Sequence, residues 1–212
     1  MVPHTINADQ ARQFYDRLGA GHDRAEWYEG AAKLRGLELL DLQPRQHVLS
    51  LGVGTGKEHL LISETIGWRG LAVGLDLSPV MLNIAAWLTR TPQVRADVRS
   101  IPLADASFDR VYSSYLLDLI ALDELPVVLA AIRRVLRPGG RAVLVSLTEG
   151  VNPLSRSVIG AWKLAFRINP MLCGGCRPLE LADLARQAGL HLLHREVVVQ
   201  AGMPSEVLVC AR

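Results

Sequence analysis

Three glycines and one aspartate are the residues of this chain whose spacing could do chemistry. Gly52, Gly54 and Gly56 form a Gly-x-Gly-x-Gly turn directly after the apolar run Val48–Leu51, and Asp76 follows the last glycine by twenty residues. Glycines let the backbone approach a bound ligand and turn sharply into a helix. A carboxylate at the end of the next strand is suited to binding the hydroxyl groups of a ribose. The pattern therefore predicts a nucleoside-binding corner in a Rossmann-type α/β fold.

The position of the third glycine bears on which nucleoside is bound. In the dinucleotide fingerprint, Gly-x-Gly-x-x-Gly, the third glycine comes one residue later, at the position that Lys57 holds here. A pyrophosphate needs that wider cradle, whereas S-adenosylmethionine (AdoMet) carries no phosphate and fits the tighter turn. The turn by itself is compatible with NAD, FAD or AdoMet, and the early third glycine favours AdoMet.

The elements that would position these residues alternate between strands and helices. Apolar runs predict strands over residues 48–51, 71–75, 94–96, 108–113, 141–147, 191–200 and 205–211. Helical spacing of apolar residues, with capping and turn residues at the ends, predicts helices over 57–66, 79–88, 123–136, 154–168 and 178–188. Such alternation gives a mostly parallel sheet with helices on both faces, and the closing pair of strands adds one antiparallel strand.

Two helices are predicted before the first strand. The first begins at Asn7 or Asp9 and ends at about Leu18, and a glycine-rich break over 19–23 separates it from a helix over 26–42. We expect the second helix to bury an apolar stripe at helical spacing, formed by Trp27, Ala31, Leu34, Leu37 and Leu40. The chain thus divides into a helical extension over 1–43, which would cap the cofactor and acceptor site, and a cofactor-binding core over 44–212.

Composition narrows the class of protein. The 212 residues suit one α/β domain, and a chain that is 50% hydrophobic and 21% charged is typical of globular proteins. A net charge of +2 is too small to indicate nucleic-acid binding. The sequence predicts neither a membrane-spanning run nor a signal peptide, and the odd count of three cysteines gives no disulfide framework, so we expect a cytoplasmic protein. Two neighbouring cysteines, Cys173 and Cys176, do not complete a zinc site, so no metal is predicted.

Four segments, in order, resemble the motifs of class I AdoMet-dependent methyltransferases. They are "VLSLGVGTGKEHL", "GLDLSPVML", "ADVRSIPLADASFD" and "RRVLRPGGRAVLVSL", which begin at residues 48, 74, 96 and 133. The resemblance extends over about residues 44–212. Within the family, the chain resembles the branch of quinone and phospholipid methyltransferases. The resemblance implies a Rossmann-like seven-stranded sheet with the last strand antiparallel, AdoMet as the cofactor and S-adenosylhomocysteine as its product.

The resemblance also implies roles for individual residues. Asp76 would bind both ribose hydroxyls, and Leu77 and Met81 would flank the adenine. Asp97 would accept a hydrogen bond from the adenine amino group, and the Val98 amide would donate one to a ring nitrogen. From the residues alone, a cap of the following helix is the alternative for Asp76, and a solvated loop acid is the alternative for Asp97.

Tyr15 and Ser50 bear on the methionyl end of the cofactor. The segment "FYDRLGAGHDR", from residue 14, resembles the N-terminal segment of the quinone and phospholipid branch, which implies that Tyr15 closes over that end. A packed aromatic residue on an amphipathic helix is the alternative. At position 50 the family usually carries Asp or Glu, which engages the methionyl ammonium. Since a hydroxyl bonds a cation more weakly than a carboxylate does, we expect Ser50 to weaken AdoMet binding unless another acid or a backbone carbonyl compensates.

Methyl transfer from a sulfonium needs alignment more than side-chain chemistry. Because ligands of α/β sheets lie outside the carboxyl ends of the strands, residues after the fourth strand are candidates. Ser113 would contact the cofactor, and Tyr115 and Asp118 would act near the acceptor. His22, in the glycine-rich break, is a candidate base. A solvated loop histidine and a helix-capping aspartate are the alternatives for His22 and Asp118.

The helix predicted over 154–168 carries apolar and basic residues on different sides. Arg156, Lys163 and Arg167 fall close together, away from a side that holds Ile159 and Phe166. A basic amphipathic helix of this kind sits on a membrane surface or caps a lipid-like acceptor. Packing on the core with a solvated face is the alternative.

These observations predict an AdoMet-dependent methyltransferase that acts on a small molecule, with a quinone-like or lipid-like acceptor as the first choice. Two alternatives stay open: an AdoMet-binding protein without catalysis, working as a regulator or partner subunit, and a nicotinamide-dependent oxidoreductase. The predicted partners are a small-molecule acceptor and, through the basic helix, a membrane surface.

Overall fold

The computed structural model describes residues 6–212, apart from the side chains of His22 and Arg24. The described residues form one seven-stranded sheet in the order β3-β2-β1-β4-β5-β7-β6. The strands are β1 (His47–Leu51), β2 (Leu71–Asp76), β3 (Gln93–Arg95), β4 (Phe108–Ser114), β5 (Leu136–Leu147), β6 (His191–Gln200) and β7 (Met203–Ala211). Strands β1 to β5 are parallel, and β7 is antiparallel to both β5 and β6. The predicted Rossmann-like α/β fold is confirmed.

The helices pack on both faces of this sheet. They are α1 (Ala8–Leu18), α2 (Glu26–Leu40), α3 (Lys57–Ile66), α4 (Pro79–Thr89), α5 (Leu125–Val135), α6 (Pro153–Ile168) and α7 (Ala182–Gln187). Short 3₁₀ segments cover Gly19–Ala25, Val98–Ser100, Leu117–Leu119 and Pro170–Cys173. One apolar core lies between the sheet and α5 with α7, around Leu129 and Leu144, and the other lies under α2 and α3, around Val48 and Val143.

The order of the strands creates the crevice in which such folds bind ligands. Strand β1 pairs with β2 on one side and with β4 on the other, so the chain reverses its direction of travel across the sheet between them. In open α/β sheets the ligand lies outside the carboxyl ends of the strands at this reversal. The end of β1 leads into the glycine turn, and the end of β2 carries Asp76.

Two predicted boundaries differ from the structure. Residues 137–140, which lie between the predicted helix over 123–136 and the predicted strand over 141–147, are part of β5, and the pairing of β5 with β4 shifts register between Phe108 and Arg110. The last helix begins at Ala182 rather than 178. The Leu179 amide instead donates to the Leu147 carbonyl, and the Leu181 amide to the Glu206 carboxylate, so tertiary partners replace helical hydrogen bonds.

The buried face of α2 also differs from the prediction. Trp27 and Leu34 are 66% and 56% exposed, and the residues that face inward are Glu29, Ala32, Lys33, Gly36 and Leu40. Gly36 lets the helix approach the sheet closely, because a Cβ there would lie 2.8 Å from Val145 Cγ2. A charged stripe is therefore turned towards the carboxyl ends of the strands, while two large apolar side chains face outward.

The first helix begins as its sequence predicts. Asn7 is the N-cap of α1 and forms a capping box with Gln10: each side chain accepts a hydrogen bond from the other residue's backbone amide. Of the two predicted caps, Asn7 and Asp9, the structure uses Asn7. Among the described helices, none is both long enough and apolar enough to cross a lipid bilayer.

Candidate functional site

A cavity of about 1020 Å³, part of it open to solvent, lies at the carboxyl ends of β1, β2 and β4. Its floor is the glycine turn and the ends of these strands, and its cover is α1 with the first half of α2. Nine of the residues predicted for the site line it: Tyr15, Gly52, Gly54, Asp76, Leu77, Met81, Asp97, Val98 and Tyr115. The structure therefore brings most of the predicted site together in one place.

The three glycines have different tasks. All three have positive φ, between 56° and 89°, which is the left-handed region that favours glycine. A Cβ on Gly52 would lie 3.0 Å from Leu116 Cβ, so this glycine lets the turn pass under the loop after β4. Gly56 does not line the cavity; a Cβ there would meet the backbone of Ala85 at 2.9 Å. It serves the packing of α3 on α4 rather than contact with a ligand.

Asp76 joins the glycine turn to the loop after β2. One carboxylate oxygen accepts a hydrogen bond from the Gly54 amide at 3.0 Å, and the other from the Ser78 amide at 2.9 Å. Burial raises the pKa of Asp76, although these backbone hydrogen bonds favour the charged form. Ser78, not Asp76, caps α4, since its hydroxyl accepts from the Met81 amide. A rigid acceptor thus faces the cavity at the position expected for ribose recognition.

Asp97 lies at the far end of the same cavity. Its carboxylate accepts from the Arg99 amide at 2.9 Å and pairs with the Arg99 guanidinium at 2.7 Å. It therefore caps the short 3₁₀ turn that carries Val98 and also lines the cavity. The sequence left two interpretations of Asp97, a loop acid and a ligand contact. The geometry allows both, because Asp97 caps a loop turn and also lines the cavity.

The N-terminal helices are tied to the cavity floor by two aspartates that sequence reasoning missed. Asp16 on α1 accepts a hydrogen bond from the Ser78 hydroxyl at 2.6 Å. Asp23 accepts one from the Thr55 hydroxyl in the glycine turn at 2.7 Å and pairs with Lys57 at 3.1 Å. The cover over the cavity is thus bonded to the two loops that would hold a cofactor.

A partly buried charge cluster, consisting of Lys33, Glu26, Glu29 and Glu58, lines the cavity. The Lys33 ammonium lies 3.1 Å from carboxylate oxygens of Glu26 and Glu29 and 3.5 Å from one of Glu58. Burial raises the pKa of Glu29 and opposes the charge on Lys33, but the three carboxylates hold the pKa of Lys33 above its usual value. The lysine therefore stays charged, and the cluster keeps an excess of negative charge.

Six acids and three bases are found among the described residues that line the cavity. An acidic cavity favours a cationic ligand and disfavours a pyrophosphate. The sign of its charge therefore agrees with AdoMet, which carries a sulfonium, rather than with a dinucleotide.

Besides Gly56, three predicted residues whose side chains the structure describes lie outside the lining. Ser50 is buried, and its hydroxyl lies 2.7 Å from Nδ1 of His59. Ser113 is buried one residue short of the cavity, which Ser114 lines instead. Asp118 is fully buried, accepts a hydrogen bond from the Leu147 amide at 2.8 Å, and has its pKa raised well above the usual value by burial.

Tyr115 and His22 complete the predicted catalytic residues. The Tyr115 ring lines the cavity, but its hydroxyl lies 2.6 Å from the Ser205 hydroxyl, and burial raises its pKa well above 10. This phenol is therefore protonated and bonded away from the cavity. His22 belongs to the 3₁₀ segment Gly19–Ala25, and its side chain lies outside the described part of the structure.

The charge cluster had only a weak sequence signal. Glu26, Glu29 and Lys33 recur at helical spacing, and Glu58 follows the glycine turn by two residues. Charged residues on a helix are usually solvated, so this spacing alone gives no reason to bury them. Only the packing of α2 across the strand ends brings the four residues together.

Known proteins that are similar to this chain include methyltransferases. Residues 49–144 match the model of a methyltransferase domain family. The chain is 33% identical over 150 residues to a malonyl-[acyl-carrier protein] O-methyltransferase of Marinomonas sp., covering 68% of this chain and 54% of that protein. It is 30% identical over 123 residues to a 2-phytyl-1,4-naphtoquinone methyltransferase of Synechococcus elongatus, covering 54% and 51%.

A solved structure is similar over the whole chain. The 1,6-didemethyltoxoflavin-N1-methyltransferase of Burkholderia thailandensis, with 1,6-didemethyltoxoflavin and S-adenosylhomocysteine bound, has a TM-score of 0.70 and 21% identity, covering 100% of this chain and 93% of that chain. The fold, the glycine turn and the match of residues 49–144 to a methyltransferase domain family agree with the predicted resemblance to class I AdoMet-dependent methyltransferases. The chain spans about half the length of the curated relatives that it matches.

Proposed function

We propose that this chain binds AdoMet in the cavity and transfers its methyl group to a small-molecule acceptor. The observation that carries the proposal is the Asp76 carboxylate, which holds the glycine turn through the Gly54 amide and faces an acidic cavity. The fit is supported by the tight turn at Gly52, where a side chain would collide with Leu116. Residues 1–43 act in this proposal as the cap and residues 44–212 as the cofactor-binding core.

Each lining residue receives a role from its place in the cavity. Asp76 holds the ribose hydroxyls, and Leu77 and Met81 enclose the adenine, whose edge meets Asp97 and Val98 at the far end. Tyr15 covers the methionyl end from α1, near Cys176, whose sulfur lies 4.0 Å from the phenol oxygen. The two aspartate ties from α1 and the 3₁₀ segment keep this cover over the cofactor.

Alignment and exclusion of water are what the chain contributes to the reaction. The bound cofactor supplies an electrophilic methyl group on a sulfonium. Apolar side chains, among them Ile6, Leu116, Leu119 and Ile120, form the part of the cavity left for an acceptor. A dry, closely oriented pair of reactants accelerates such a transfer without a side-chain base. Tyr115 shapes this wall with its ring rather than acting through its hydroxyl.

A quinone-like or lipid-like acceptor suits the apolar wall. One curated relative is a methyltransferase of a phytyl-naphthoquinone by its name, and the apolar wall would accept a ring system of that kind. An apolar acceptor also has to be delivered from a membrane or a carrier. Delivery requires an exposed surface beside the cavity cover that can contact the membrane or the carrier. The cytoplasmic setting is retained as a prediction.

The exposed side of α6 is suited to that delivery. Ile159 and Phe166 are buried, as the core-packing alternative requires, but Leu154, Leu164 and Ile168 are 60–73% exposed on the opposite side. Arg156 and Arg167 are exposed next to them. An apolar stripe with flanking arginines is complementary to an anionic membrane surface. We infer that α6 rests on such a surface.

The contacts of α6 lead from that surface to the cavity. The turn after its 3₁₀ extension approaches the cap: a Cβ on Gly175 would meet Ile6, and Cys176 neighbours Tyr15. Both Ile6 and Tyr15 line the cavity. A molecule held by the membrane beside α6 is therefore close to the covered end of the site.

Calorimetric titration tests the cofactor proposal. Wild type is expected to bind AdoMet and S-adenosylhomocysteine but not NADH, and Asp76→Ala is expected to lose binding of both sulfur nucleosides. Asp183→Asn, which changes an exposed carboxylate on α7, is the matched control and should bind like wild type. Binding of NADH alone would overturn the proposal. Binding of AdoMet without turnover across an acceptor panel of quinols and lipids would favour the non-catalytic alternative.

A further inference from the structure

The amino-acid end of the cofactor needs a charge partner that position 50 does not supply. Ser50 carries no carboxylate, and its hydroxyl lies 2.7 Å from His59 Nδ1 inside the protein. The other ring nitrogen of His59 lies 2.9 Å from the Thr91 hydroxyl, so the whole chain of contacts runs away from the main cavity. Recognition of an α-ammonium therefore has to come from elsewhere.

Among the described acids that line the main cavity, Glu58 is the one that also shares a cavity with Ser50. It stands on the first turn of α3, directly after the glycine turn, and lines the main cavity. It also lines a small side cavity together with Ser50, Gly52 and His59. Its contact with Lys33, at 3.5 Å, is the longest of the three that the lysine makes with carboxylates. Glu58 is thus the member of the charge cluster most easily shared with an incoming cation.

Lys33 supplies the opposite charge. Its ammonium is held at 3.1 Å by Glu26 and Glu29, which keep it charged and directed at the cavity. Three carboxylates around one ammonium carry an excess of negative charge that one further positive group can offset. When Glu58 turns to such a group, the lysine N–H that faced it becomes available to a carboxylate, because an ammonium has three donors. A zwitterion presents both charges on one carbon.

We propose that the Glu58 carboxylate binds the α-ammonium of the cofactor's methionyl group and that Lys33 binds its α-carboxylate. This inference rests on the proposed function. Glu58 thereby takes over the task that an acid at position 50 would perform, and the cluster of Lys33 with Glu26 and Glu29 becomes a specificity element for nucleosides that carry an amino-acid tail.

Two nucleosides with a neutral thioether sulfur allow binding of the amino-acid end to be measured apart from binding of the adenosine. S-adenosylhomocysteine and 5′-methylthioadenosine share the adenosine and the sulfur, but only the first carries the amino-acid end. Calorimetry at one pH and one salt concentration gives the ratio of their affinities. Glu58→Gln is expected to weaken S-adenosylhomocysteine by about tenfold to a hundredfold, the range of one charged hydrogen bond, and to leave 5′-methylthioadenosine unchanged.

Three variants complete the experiment. Glu64→Gln changes an exposed acid on the same helix and should leave both affinities unchanged. Lys33→Met should also weaken S-adenosylhomocysteine alone. Ser50→Asp should not tighten it, because His59 captures the new carboxylate.

An unchanged ratio in Glu58→Gln, or a selective tenfold gain in Ser50→Asp, would overturn the assignment. Binding of 5′-methylthioadenosine by each variant reports that its site is folded. If wild type binds neither nucleoside, the proposed cofactor fails and this assignment fails with it.

Discussion

The Ser50 hydroxyl lies 2.7 Å from Nδ1 of His59, and both side chains are almost completely buried. This pair belongs to an internal network that continues to the Thr91 hydroxyl. In the proposed assignment, Glu58 and Lys33 bind the methionyl group instead of Ser50. The consequences of this network can be measured in the stability of the protein as well as in binding.

His59 should make stability fall as the pH is lowered. Burial lowers the pKa of His59 from 6.5 to about 4. Since the unfolded chain binds a proton between these values and the folded chain does not, the stabilisation is complete above pH 6.5 and is lost towards pH 4. It amounts to on the order of 3 kcal/mol. Urea unfolding at pH 7.5 and pH 5 should show a smaller loss in His59→Gln than in wild type. Exposed His191→Gln is the control, and an equal loss in all three proteins would contradict the assignment.

Asp118 should give the opposite slope. Burial raises its pKa well above the usual value, with Glu29 adding to the effect and Arg177 opposing it. The folded state therefore holds a proton that the unfolded state has released, and stability falls as the pH rises above about 4. Asp118→Asn keeps an acceptor for the Leu147 amide without the charge. Its stability relative to wild type should increase from pH 5 to pH 8, whereas a constant difference would show that Asp118 is ionised in the fold.

Two helical glycines should respond to alanine with opposite signs. In Gly36→Ala the new methyl group would lie 2.8 Å from Val145 Cγ2, so overpacking should destabilise the protein by about 1–3 kcal/mol. In Gly160→Ala, on the exposed side of α6, no atom lies within 4 Å of the new group, and the better helix former should stabilise it by about 0.5–1 kcal/mol. Urea unfolding at one pH measures both changes. Two changes of the same sign would contradict the close approach of α2 to the sheet.

The exposed stripe of α6 should bind anionic vesicles. Co-sedimentation with vesicles of phosphatidylcholine and phosphatidylglycerol should capture wild type, and pure phosphatidylcholine should capture much less. The double variant Leu164→Gln with Ile168→Gln should abolish capture. Both side chains are exposed in the folded protein, and replacing them removes the apolar area that the vesicle surface would bury. Trp68→Gln, an 88% exposed residue outside α6, is the control. Capture that survives in the double variant would remove the membrane surface from the proposal.

Local patterns along the chain were sufficient for the order of the elements and for most of the predicted residues that line the cavity. The glycine turn, Asp76 and the segment around Asp97 lie on consecutive strand ends, so a parallel sheet brings them together whatever the helices do. Asn7 caps α1 through contacts with Gln10 only three residues away, and α3 has the predicted bounds because its signals are also local.

Tertiary structure decided which face of each helix or strand is buried, and therefore which side chains line the site. Sequence patterns favoured Trp27 and Leu34 as the buried stripe of α2, but the close approach at Gly36 turned Glu29 and Lys33 inward instead. In the same way, the Ser50 hydroxyl contacts His59, and the buried Asp118 carboxyl accepts a hydrogen bond from the Leu147 amide at the end of β5. A chain specifies hydrophobic spacing locally, but the burial of a charge depends on partners distant in sequence that can neutralise it. The charge cluster around Lys33 is therefore a property of the fold and not of any one segment.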